Sequence, residues 1–219
     1  VKIAALIPAF KEEKHIADVV TRTRLHLDRV FVIDDGSGDR TSEIAREAGA
    51  EVVVNSTNMG KGASLVVGFD HLAKQGIDAA LCLDADGQHA PEEIPRFLAV
   101  AENTDLVIGN RMADVKDMPF ARLWTNRVTS FILSSLAGVT VPDTQCGYRL
   151  VRLSAWNQVQ VESRNYDFEG EMIVAMGRKG CRVTSVPVST IYGDEVSAIN
   201  PVADTVRFFK MVWRLWRQH

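Results

Sequence analysis

Asp84 and Asp86 flank the small Ala85 in the run LCLDADGQH, directly after a hydrophobic stretch. Two carboxylates at alternate positions beyond a strand end can approach one hard cation together, and Gln88 adds an amide oxygen. Such a set suits Mg²⁺ or Mn²⁺ held between protein and a diphosphate, while an isolated acidic turn has the same composition, so the neighbouring loops decide. IPAFKEE (7–13) ends an apolar run at Pro8 and opens a helix at Glu12. In VIDDGSGDRT (32–41), Asp34 and Asp35 could accept hydrogen bonds from a base and a ribose, and Asp39 or Thr41 could cap the following helix. NMGKGASLVVG (58–68) sets Lys61 between two glycines ahead of a helix, offering a cation and backbone donors to a phosphate or carboxylate. The spacing is not that of a Walker loop.

Further along, YDFEGEM (166–172) carries Glu169 and Glu171. Either is a base candidate for a hydroxyl nucleophile; equally, both fit a solvated helix face paired with Arg178 or Lys179. A lipid phosphate is already anionic near neutral pH and needs no protein base. His15, His26 and His71 lack metal-ligand spacing and read as surface residues, and His89 follows the acidic run closely enough to reach a phosphate.

Short β-branched runs alternate with helical patterns in the first half, the pattern of a layered βαβ sheet. KIAALI (2–7), VFVI (30–33), EVVV (51–54), AALCLD (79–84), DLVIG (105–109) and RVTSVPVS (182–189) read as strands. Between them lie predicted helices. One carries Ile16, Val19, Val20 and Leu27; a second starts after Thr41 and stops at Gly49; the third runs from about 63 to 74; the fourth starts at Pro91. A long helical stretch follows Phe120, then a polar loop from Asp143 to Arg149 and a helix near 169–178. The motifs around Pro8, Asp35, Lys61 and Asp86 all lie beyond strand ends, where open α/β sheets bind ligands.

The final helix, from Val202 to about Arg217, sets Val202, Val206, Phe209, Trp213 and Trp216 on one stripe and Arg207, Lys210, Arg214 and Arg217 on another. Two arrangements satisfy this pattern: a helix lying in a membrane interface beside anionic lipid, or one packing its aromatic side on the sheet. We divide the chain into a body, 1–200, and this amphipathic basic helix, 201–219.

At 219 residues, 46% hydrophobic and 24% charged, the composition is that of a globular chain and excludes disorder. A net charge of −3, with a basic C-terminal helix on an acidic body, argues against nucleic-acid binding. Cys82, Cys146 and Cys181 show no C-x-x-C spacing, which speaks for a reducing cytoplasm. No stretch has the roughly 20 apolar residues of a membrane span, and the strand-like opening shows no signal-peptide pattern.

The order P-A-F-x-E-E, D-D-G-S-x-D-x-T, N-x-G-K-G, D-A-D-G-Q and G-N-R resembles the family-2 glycosyltransferases of GT-A type, nearest to the dolichyl- or polyprenyl-phosphate hexosyltransferases of the dolichol-phosphate mannose synthase group. The resemblance covers about residues 2–190. It implies a single α/β domain with a mixed, mainly parallel sheet flanked by helices. Pro8, Ala9, Phe10 and Glu12 would line the nucleotide pocket, with Asp35 on base or ribose, Asp34 supporting it, and Lys61 beside the donor. Asp84, Asp86 and Gln88 would hold Mg²⁺ or Mn²⁺, and Arg111 would lie near the sugar or phosphates. Arg127 would act on the acceptor side, and DTQCGYRL (143–150) is similar to the family's D-x-x-x-G-x-R loop. The reaction implied is transfer, with inversion, of a hexose from a GDP-mannose or UDP-glucose type donor to a polyprenyl phosphate, at the cytoplasmic face of a membrane. The other family-2 reading is a sugar hydroxyl acceptor in glycan synthesis, with Glu169 as base. A departure lies at IYGDEVSAIN (191–200): Tyr192 and Gly193 fit the pattern, whereas Asp194 and Glu195 bring negative charge and Ala198 stands where the pattern has a lysine.

Overall fold

The structure, a computed structural model, describes residues 1–113, 115, 118, 120–165, 167–189, 191 and 201–218; the side chains of Ala121, Arg122 and residues 201–204 are outside the description. The acidic departure from Tyr192 onward and the stripe position Val202 therefore fall outside the described residues and side chains.

Seven strands form one sheet in the order β3-β2-β1-β4-β6-β5-β7. They are β1 (Ile3–Ala9), β2 (Val30–Asp34), β3 (Glu51–Val54), β4 (Ala79–Cys82), β5 (Leu106–Asn110), β6 (Arg149–Arg152) and β7 (Val183–Pro187). β6 runs antiparallel to β4 and β5, and every other pairing is parallel. β1, β2 and β4 are buried along almost their whole length and carry uninterrupted apolar runs, as strands covered on both faces must.

The helices are α1 (Ile16–Thr23), α2 (Thr41–Glu47), α3 (Lys61–Lys74), α4 (Ile94–Leu98), α5 (Phe120–Ala137), α6 (Leu153–Trp156), α7 (Phe168–Arg178) and α8 (Pro201–Arg217). α1 turns Ile16, Val19 and Val20 inward but ends at Thr23, so Leu27 is buried beyond the helix. Pro91 starts a short 3₁₀ turn, with α4 following it.

One expectation needs correction. The predicted polar loop to Arg149 is in part a strand, β6, which inserts between β4 and β5. Arg149 is 1% exposed, and its guanidinium donates to the carbonyls of Cys146, Thr144 and Glu169. Its charge is satisfied by backbone within the body, so it looks polar in sequence and behaves as core. In α8, Met211 and Leu215 are the buried positions. Val206, Phe209, Trp213 and Trp216 point outward, so the predicted aromatic stripe is real but exposed.

Among the described residues no helix is long and apolar enough to cross a membrane.

Candidate functional site

From β1 the chain adds β2 and β3 on one side and then crosses to β4 on the other, so the order of strand succession reverses between the parallel neighbours β1 and β4. Loops leaving two such strands diverge and open a crevice at their carboxyl ends. A cavity of about 410 Å³ lies there, lined by the predicted Pro8, Ala9, Phe10, Glu12, Asp35, Lys61, Asp84 and Asp86. The volume suits a nucleotide-sized ligand. Asn58, Ser64 and Asn165 also line it. Asn58 belongs to the N-x-G-K-G run, but nothing in the local pattern around Asn165 marks it.

The 34–41 loop shapes the turn after β1. Asp34 accepts from the Ser37 amide at 2.9 Å and from its hydroxyl, and Ser37 Oγ in turn accepts from the Lys11 amide at 2.9 Å. Asp39 accepts from the Thr41 amide at 3.0 Å, but the capping position of α2 is Arg40, so neither Asp39 nor Thr41 is the cap that the sequence suggests, and Thr41 Oγ1 accepts from the Glu12 amide at 2.9 Å. Asp34 is thus turned into this scaffold, and it does not line the crevice.

Asp35 reaches the crevice wall with both oxygens engaged. It accepts from the amides of Met59 and Gly60, at 3.0 and 2.8 Å, and from Asn55 Nδ2 at 2.9 Å. Those are the amides that the Gly-Lys-Gly turn was expected to offer a phosphate. Gly60 is required twice over, by a φ of 92° and by Asn165 Oδ1, which lies 2.7 Å from where a Cβ would stand.

Lys61, the first residue of α3, extends its ammonium to Asp84 Oδ1 at 2.6 Å and Glu169 Oε1 at 3.1 Å. These groups converge on Gly147, where a Cβ would lie 2.8 Å from Lys61 Nζ and 3.1 Å from Asp84 Oδ2. Burial opposes both charges. The opposed carboxylates nonetheless raise the lysine above its usual range, and Lys61 holds Asp84 well below the carboxylate range. His89 accepts the Asp84 amide on Nδ1 at 3.0 Å and stacks on Tyr148. Burial lowers its pKa to about 4, so it is neutral and positions the acidic turn.

Gln88 donates its amide to Asp86 Oδ1 at 2.9 Å, and both residues line an open cleft that shares Glu12 with the crevice. Arg111 follows β5 but is held by Asp143 through a two-pronged pair of 2.7 and 2.9 Å, and it does not line the crevice. Arg127 is exposed on α5 and lines a separate groove of about 430 Å³ with Ser130, Phe131 and Ser134. The structure therefore brings Asp84, Asp86, Lys61 and Asp35 together, sets Glu169 behind Lys61, and leaves Arg127 apart.

Among the described residues no three His, Cys, Asp or Glu side chains form a self-sufficient metal cage. The donor set is nevertheless one that a hard cation shares with a diphosphate: two carboxylates on one crevice, Asp84 and Asp86, with the rest of the shell open to phosphate oxygens and water. Asp84 already holds a cationic group, Lys61 Nζ, which shows that the position favours positive charge.

A mainly parallel sheet with this strand order, and an acidic turn at its switch point, defines an α/β glycosyltransferase fold of GT-A type. Residues 4–159 match the family described as Glycosyl transferase family 2, and the chain belongs to that family. It is 31% identical to polyprenol monophosphomannose synthase of Mycolicibacterium smegmatis, across 84% of this chain and 75% of that one. It is 29% identical to UDP-N-acetylglucosamine--dolichyl-phosphate N-acetylglucosaminyltransferase of Methanococcus voltae, across 97% and 94% of the two chains. Glucosyl-3-phosphoglycerate synthase from Mycobacterium tuberculosis, solved with Mn²⁺, UDP and phosphoglyceric acid, superimposes with a TM-score of 0.73 over 98% of this chain and 77% of that one. Sequence identity to it is 18%, and the likeness is one of fold.

Proposed function

We propose that this glycosyltransferase moves a hexose from a nucleotide-diphosphate sugar to a polyprenyl phosphate, with Mg²⁺ or Mn²⁺ at Asp84, Asp86 and Gln88. The observation that carries the reading is the meeting of Asp84, Asp86 and Lys61 with the Pro8–Glu12 and Asp35 walls in one crevice. A bound divalent cation there neutralises charge on the departing diphosphate. Lys61 adds a second positive group, and the 8–12 turn supplies the surface against which a base and ribose lie. Phe10, 41% exposed at the rim, offers its ring to the base. The relatives named above support the acceptor class, since their names specify dolichyl or polyprenol phosphates.

A phosphate acceptor also agrees with Glu169. Its carboxylate contacts Lys61 and lies outside the crevice lining, a poor place for a base that must reach a hydroxyl. Inversion follows if the acceptor phosphate attacks the sugar directly from the face opposite the diphosphate.

A polyprenyl-phosphate acceptor lies in a membrane, we propose at its cytoplasmic face, and the surface supports contact with a membrane. Fourteen large hydrophobic side chains are exposed among the described residues, and eight of them lie on α5 and α8: Phe120, Trp124, Val128, Phe131, Val206, Phe209, Trp213 and Trp216. Each set repeats at three- or four-residue spacing, so each helix presents one apolar row. Arg207, Lys210 and Arg217 are exposed on α8 for anionic headgroups. The division into a catalytic body, 1–200, and an interfacial helix, 201–219, belongs to this proposal.

Asp86→Ala tests the cation directly. The variant melts cooperatively like the parent, and its metal-dependent transfer falls by about 10²-fold or more. Full activity in that variant removes the cation from Asp86.

A further inference from the structure

Arg214 was expected to face lipid with the other cations of α8, but it points into the body. Its Nη1 donates to Glu162 Oε2 at 2.6 Å and its Nη2 to Glu171 Oε2 at 2.5 Å. Glu171, on α7, is only 3% exposed. The same carboxylate accepts two main-chain amides, Glu162 N on Oε1 and Ser163 N on Oε2, each at 3.0 Å. One buried carboxylate therefore ties three elements together: α7, the segment before it, and α8.

That segment is the wall of the crevice. Two residues beyond Ser163, Asn165 lines the cavity and closes on Gly60. Between them the Arg164 carbonyl accepts the Ala63 amide at 3.0 Å, in the first turn of α3 beside Lys61. The wall is thus pinned at one end by α3 and at the other by Glu171. Removing one partner of a buried charge pair leaves the other uncompensated and loosens what that pair holds in place. Arg214 supplies that countercharge from α8, the helix bearing the exposed aromatic row.

We propose that Arg214 is a positioning residue for donor binding: acting through Glu171, it fixes the 162–165 wall, so that the seating of α8 sets the shape of the nucleotide pocket. The proposal rests on reading the crevice as the donor site. It makes α8 part of the pocket's support.

The test measures binding of UDP and GDP with Mn²⁺, together with hydrogen exchange at the Glu162 and Ser163 amides, in the parent chain, Arg214→Met and Arg214→Lys. Arg214→Met is expected to weaken the nucleotide that the parent binds by about tenfold, a factor worth 1.4 kcal/mol. Exchange at the two amides should accelerate while β1 and β4 stay protected, and Arg214→Lys should recover most of the affinity. If Arg214→Met does not fold, Arg214→Lys carries the test, with a two- to fourfold weakening and faster exchange expected from loss of the forked contact. Unchanged affinity in a folded variant overturns the proposal: with accelerated exchange the wall loosens without shaping the pocket, and with unchanged exchange Arg214 anchors α8 alone. A parent chain that binds neither nucleotide overturns the donor-site reading and this proposal with it, an outcome distinct from a parent that binds and a variant that binds equally.

Discussion

Gly147 faces the convergence of Lys61, Asp84 and Glu169, and a methyl group there would contact the tip of a flexible lysine before anything rigid. Gly147→Ala should therefore cost only about 1 kcal/mol, the low end for added volume in a packed site, because Lys61 can withdraw. Transfer should fall at least tenfold all the same, since the ammonium is displaced from Asp84. Melting and turnover measured side by side check this; equal loss of both would mean that Gly147 serves packing alone. At this scale the sequence was informative about residue types and less so about their duties. Asp84, Asp86 and Lys61 could be singled out because carboxylate spacing and a glycine-flanked lysine are local signals. Asp35 is engaged by amides 24 and 25 residues away, Arg149 by carbonyls of its own loop and of α7, and Arg214 by a carboxylate 43 residues away. No local pattern encodes such partners.

Among the elements, α5 and α8 are the informative pair. The amphipathic pattern of α8 was legible, but a helix with apolar residues on two sides has two candidate inner faces. Tertiary packing chooses Met211 and Leu215, which meet the body near α7, and leaves the tryptophans outside. β6 was missed for a related reason: a four-residue strand bounded by arginines has too short a period to register, and its burial depends on β4 and β5. If the exposed rows form a membrane-binding face, Trp213→Ser with Trp216→Ser should leave melting unchanged, because both side chains are about 60% exposed. Sedimentation with vesicles containing anionic lipid should drop several-fold, and more so when Trp124→Ser is added on α5. Undiminished sedimentation would return the two rows to ordinary surface.

Across the whole molecule, the sheet order creates the switch point, and buried charge pairs hold the later segments against it. Asp143 is fully buried, and burial opposes its charge, but Arg111 outweighs burial and keeps it ionised below the usual carboxylate range. Since its folded pKa lies below the unfolded value of about 3.9, its contribution is present above that value and is lost as the pH falls further, through the lower folded pKa. Asp143→Asn should cost about 3 kcal/mol at neutral pH by leaving Arg111 without its partner, and should flatten the acid limb of a stability–pH profile; an unaltered limb would assign acid sensitivity to other carboxylates. The parallel order of the first strands was readable from alternation of apolar runs and helices, and so was the clustering of motifs at strand ends. The central claim is the reaction. Its most direct test is transfer of labelled sugar from a panel of GDP- and UDP-hexoses into a butanol-extractable polyprenyl-phosphate product, with Mg²⁺ or Mn²⁺ and then with chelator. A lipid-linked product from one donor that disappears on chelation is the predicted result, whereas metal-dependent consumption of donor with no lipid product would contradict the assignment of a polyprenyl-phosphate acceptor.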